Sequence, residues 1–127
     1  MQERYLFEYA VLRIVPKVER EEFLNVGVVL YCPQKKFLEV KFHLDCERIK
    51  AFACELDIPE IGQYLQAFEK ICAGTKDSGP IGKLGVADRF RWLTATRSTV
   101  VQTSKTHTGL CKDVKETLNH LYTQLVL

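Results

Sequence analysis

Residues 5–15 are apolar on both alternating sets, interrupted only by Glu8 and Arg13, the pattern of a central strand covered on both faces. Pro16 ends the run, and the charged residues 17–22 form a loop or short turn. A second run over residues 23–32 sets Leu24, Val26, Val28 and Leu30 on one unbroken apolar face and leaves Asn25 and Gly27 on the other. Pro33-Gln34-Lys35-Lys36 then reads as a polar hairpin connection, with proline suited to the first corner of a turn. Residues 37–45 alternate Leu38, Val40, Phe42 and Leu44 against Glu39, Lys41 and His43, which predicts a half-solvated strand antiparallel to the second.

Beyond residue 45 the period changes from two to between three and four. Asp45 can cap a helix with the stripe Cys46, Ile49, Phe52, Ala53 and Leu56. Asp57 and Glu60 resemble a capping box, Pro59 fits a first turn, and Ile61, Tyr64, Leu65, Phe68, Ile71 and Cys72 make a second stripe that Gly74 closes. Residues 75–85, with Ser78-Gly79-Pro80 and two further glycines, read as the longest loop. An extended region is expected over residues 89–103, as two strands with a bend near residues 94–96. A last helix follows, capped by Asp113 and Glu116, with Val114, Leu118, Leu121, Tyr122 and Leu125 buried. Strands and helices are segregated along the chain. The expectation is an α+β fold, a mostly antiparallel sheet of four to five strands with three helices packed on one face, in a single domain over residues 1–127.

Composition fits that size: 127 residues, 46% hydrophobic and 27% charged, suffice for a core without disulfide or metal staples. The longest apolar stretch, residues 26–32, falls far short of the ~20 residues that cross a bilayer, so no membrane is expected as a partner. The N-terminus shows no basic and apolar leader pattern, and the expected location is the cytoplasm. Cys32, Cys46, Cys54, Cys72 and Cys111 are odd in number and lack a C-x-x-C pair, which points to reduced thiols and no bound metal. Net charge is only +2, so nucleic acid is an unfavoured ligand. The local distribution is less even: from Lys83 to Lys112 the basic residues Lys83, Arg89, Arg91, Arg97, Lys105 and Lys112 meet Asp88 as the sole acid.

That segment is where chemistry is sought. If residues 89–93 are extended, Arg89 and Arg91 project from one face and Phe90 and Trp92 from the other. Arg97, Ser98 and Thr99 then add a third guanidinium and two hydroxyls, donors of the kind that grip phosphate or carboxylate. The alternative is that these arginines pair with Glu8, Glu19, Glu21, Glu22 or Glu39 and cover the sheet. Arg13 shares a strand face with Tyr9 and Val11 and needs a partner. Arg13, Asn25 and Gly27 line a shallow pocket with Arg91 if the strand order brings them together, and otherwise serve packing. His107 precedes Cys111 by four positions in an expected loop, where it either activates the thiol or stands beside a buried structural one. The phosphate-binding, dinucleotide, zinc-protease and nucleophile-elbow motifs are missing from the sequence, so no cofactor is expected.

Taken together, Leu12-Arg13-Ile14-Val15-Pro16, the stretch from Glu22-Phe23-Leu24-Asn25-Val26-Gly27 to Cys32-Pro33, Arg89-Phe90-Arg91-Trp92-Leu93-Thr94, Arg97-Ser98-Thr99-Val100-Val101-Gln102 and His107-Thr108-Gly109-Leu110-Cys111 resemble the bacterial family called domain of unknown function 3037. The likeness covers nearly the whole chain and carries no catalytic residues with it. It implies a small bacterial cytoplasmic protein often encoded beside a HipA-like serine/threonine kinase. Two functional readings follow. One is a non-catalytic accessory module that binds a kinase-like partner or a phosphate-containing ligand through Arg89, Arg91, Arg97, Ser98 and Thr99, with Arg13 and Asn25. The other is a small enzyme acting on a phosphate-containing or nucleic-acid substrate, with His107 as acid or base.

Overall fold

A computed structural model describes residues 4–95, 97 and 99–127. The fold is α+β, built on an antiparallel sheet of five strands: β1 (Tyr5–Ile14), β2 (Leu24–Cys32), β3 (Phe37–Phe42), β4 (Val101–Thr103) and β5 (His107–Cys111). The order is β3-β2-β1-β4, and β5 joins β4 on the same side of β1. β4 pairs with Leu12 to Ile14, whereas β5 pairs with Tyr5 to Tyr9. Between them Ser104 holds the sheet together: its N–H donates to Val11 O at 2.8 Å, and its Oγ accepts from Val11 N–H at 2.9 Å.

The helices are α1 (Cys46–Phe52), α2 (Ile58–Ala73), α3 (Gly79–Gly82), α4 (Val86–Leu93) and α5 (Val114–Leu125), with a short 3₁₀ turn at Val18–Arg20. Asp45, Asp57 and Asp113 cap three of them, each carboxylate accepting from the N–H three residues on at 3.1 Å. Gly74 ends α2 in the left-handed conformation, φ 66°, which costs glycine nothing. The 75–85 stretch contains α3, so it is not the long open loop that its glycines suggest.

The helices cover both faces of the sheet, which corrects the expectation of three helices on one face. On one face Ala10, Leu12, Ile14, Val29 and Tyr31 pack against Ile49 of α1, Ile61, Leu65 and Phe68 of α2 and Phe90 and Leu93 of α4. On the other, Phe7, Val28, Leu30, Cys32 and Cys111 pack against Leu118 and Tyr122 of α5. The two faces draw on the same strands because β1 and β2 are apolar at nearly every position.

The face assigned to Leu24, Val26, Val28 and Leu30 is also corrected. Leu12 pairs with Gly27 and Arg13 with Asn25, so Val26 is an extra residue in β2, a bulge. The bulge moves Leu24 and Val26 to the face of Val29, and sends Val28 and Leu30 towards α5. It also sets Asn25 and Gly27, expected on one face, on opposite ones.

Candidate functional site

Residues 86–93 form the helix α4 and not a strand, which separates the expected row of guanidiniums. Phe90 and Leu93, three apart, turn into the core, and Phe90 stacks on Tyr31 with ring centroids 5.1 Å apart. Arg89 turns to the end of α2, where one nitrogen donates to Ile71 O and Cys72 O, both at 3.0 Å. It thus adds a charged donor to the last carbonyls of α2, of which Ile71 O also accepts from Gly74 N–H at 3.1 Å. Arg97 closes α4 in the same way, donating to Leu93 O and Trp92 O while its guanidinium lies 4.4 Å over the Trp92 ring. Arg91 is exposed on α4. Thr99 donates its hydroxyl to Val101 O at 2.7 Å, and Ser98 lies outside the described residues.

Arg13 and Asn25 are partners across β1 and β2, but they face α5, on the side of the sheet away from Arg89. Asn25 donates to Leu125 O at 3.1 Å at the end of α5, and Arg13 stacks on Phe23, 3.9 Å from its centroid. Burial lowers the Arg13 pKa. The shallow pocket envisaged with Arg91 is therefore not formed.

His107 lies on β5, not in a loop, opposite Tyr9, with the two rings 5.2 Å apart. Cys111 is four residues further along the same strand, about 13 Å away at strand rise, too far for imidazole to take its proton. Burial raises the Cys111 pKa, with a hydrogen bond from Thr117 opposing it. Cys72 is pushed up to about 12, chiefly by burial, against the pull of the nearby Arg89 charge. Both thiols are held in the neutral form at physiological pH, which is the reverse of an activated nucleophile.

A wide, open groove lies elsewhere, along the outer edge of β3. This groove of about 560 Å³ is floored by Phe37, Leu38, Glu39 and Val40. Glu69, Cys72 and Ala73 at the end of α2, with Arg89, form one wall; Lys115 of α5 stands on the other side, and Lys35 and Lys36 of the hairpin close one end. Lys36 sits in the left-handed region, φ 50°, as the tight β2–β3 turn demands. Lys115 pairs with Glu39 at 2.5 Å, and Lys35 lies 4.4 Å over the Tyr5 ring. Of the arginines singled out from sequence, Arg89 alone lines this groove. Sequence reasoning missed its other members. The available signal was the run of cations in the β2–β3 turn beside an alternating, half-solvated strand.

A second recess of about 390 Å³ lies between Leu56, Ile61 and Tyr64 and residues 99–101. No cluster of His, Cys, Asp and Glu able to hold a metal is found among the described residues, and no described helix is long and apolar enough to cross a membrane.

No curated protein and no solved structure matches this chain. A family model described as "Protein of unknown function (DUF3037)" matches residues 9–126, a span that takes in both helical layers, the sheet and the β3 groove, and the chain accordingly belongs to that family.

Proposed function

We propose that the chain is a non-catalytic accessory module that binds a protein partner along the β3 edge. The supporting observation is the groove itself: an outer strand whose backbone borders a recess of about 560 Å³ rimmed by Lys35, Lys36, Arg89 and Lys115. A recess floored by a strand edge suits a peptide better than a compact metabolite, because the main chain supplies a row of donors and acceptors at strand spacing. The partner class we favour is a HipA-like kinase, the neighbour that the family resemblance implies. The anionic group recognised belongs to that partner.

The test is purification of tagged protein from its native host, followed by amide hydrogen exchange on the complex. Binding of the kinase-like protein with slowed exchange in β3 and at the end of α2 is expected. A complex that protects the β4–β5 side and leaves β3 unchanged, or the recovery of no stable complex, overturns the proposal.

A further inference from the structure

We infer that the β3 edge takes an extended acidic peptide segment as an added strand. This inference rests on the groove reading above and names the occupant. The hydrogen-bonding pattern decides which backbone groups are on offer. His43 N–H donates to Val26 O at 2.9 Å, and the β2–β3 register runs without a shift from Phe42 opposite Gly27 to Phe37 opposite Cys32. In an antiparallel ladder the inward-bonding residues alternate, so Lys41, Glu39 and Phe37 bond to β2, while Leu38, Val40 and Phe42 direct N–H and C=O outwards. β3 is the outer strand of the sheet order, so the groups of Leu38 and Val40 face the groove and Phe42 continues the same edge beyond it. From Leu38 to Phe42 they span about 14 Å, the length of a five-residue extended segment.

Charge selects the chemistry of that segment. Four cations and two carboxylates line the groove, and one of the carboxylates, Glu39, is already engaged by Lys115. On the α2 side Glu69 offsets Arg89 and on the α5 side Glu39 is paired with Lys115, so the positive surplus lies at the hairpin end, with Lys35 and Lys36. An added strand runs past this end of the groove, so acidic residues in the part of the segment beside the hairpin meet Lys35 and Lys36. A second copy of this chain would instead set one basic rim against another, which opposes self-pairing.

The probe is a fluorescein-labelled peptide of alternating glutamate and valine, seven residues long, compared with its lysine–valine counterpart. Fluorescence polarisation at low salt should give the glutamate peptide at least a tenfold tighter Kd, weakening as salt rises. Amide exchange should slow at Leu38, Val40 and Phe42. The double variant Lys35→Glu, Lys36→Glu should remove the preference, and Lys35→Gln, Lys36→Gln should reduce it, with circular dichroism unchanged in both. Equal binding of the two peptides with β3 protected in each case overturns the acidic specificity and leaves the groove reading standing. Failure of the glutamate peptide to protect β3 also overturns this inference, and the groove reading falls with it when the native partner likewise leaves β3 unprotected.

Discussion

Replacing Arg89 by alanine removes two charge-assisted hydrogen bonds from the end of α2 and leaves the Ile71 and Cys72 carbonyls without that donor. Bonds of this kind are worth about 1.5–3 kcal/mol, so the variant should unfold at lower urea with stability reduced by roughly that amount. Arg89→Lys should recover part of it, because an ammonium keeps the charge but loses the planar fork. An unchanged urea midpoint would contradict the capping role. Gly74 belongs to the same arrangement: a β-carbon there would stand 2.5 Å from the Arg89 guanidinium nitrogen, at a backbone angle that other residues resist. Single residues were legible in the sequence where their work is local. The three aspartate caps were evident because each side chain serves an amide only three positions away. Arg89 was not, since its carbonyl partners lie 17 and 18 residues upstream and nothing in the chain marks them as neighbours.

Elements were legible where their periodicity stood alone. α2 and α5 carry stripes that the core absorbs as expected, including Leu65, Phe68, Leu118 and Tyr122. α4 was misread because Arg89-Phe90-Arg91-Trp92 alternates like a strand; the spacing from Phe90 to Leu93 decides the matter only once a core exists to receive both. The bulge at Val26 escaped notice for a different reason. Leu24, Val26, Val28 and Leu30 are all apolar at alternate positions, so a slip between faces after Val26 leaves no break in the hydrophobic pattern. Gly27 beside it is the more informative residue. A β-carbon at Gly27 would approach Lys41 O and the Phe42 β-carbon to 2.8 Å each. Gly27→Ala should therefore push β2 and β3 apart and cost about 1–3 kcal/mol in thermal or urea unfolding. Stability equal to the parent would show that the sheet relaxes freely at this point.

At the scale of the whole molecule, two apolar layers share one sheet. The α2–α4 layer and the α5 layer both rest on β1 and β2, whose alternate side chains enter opposite clusters. Neither layer can separate without exposing the reverse of the same strands, so unfolding should be a single cooperative transition. Phe68→Ala and Leu118→Ala remove buried groups from opposite layers, and each should lower stability by about 2–5 kcal/mol while circular dichroism and tryptophan fluorescence continue to report one coincident transition. Separate transitions for the two probes would mean that the layers melt independently. The α+β class was legible at this scale, because it depends on the order of patterns along the chain. The β3 groove was not, because its walls come from the hairpin, α2, α4 and α5 and meet only in the folded chain.

The interruption at Ser104 gives the sheet two unlike borders. β3 offers an unbroken rail, whereas the far side consists of the short pieces β4 and β5, one residue out of register with one another along β1. Fibre growth by stacking sheets requires a rail at each end, one to receive and one to present. Here the receiving end has no matching counterpart, so a strand added at β3 would not propagate from one copy of the sheet to the next.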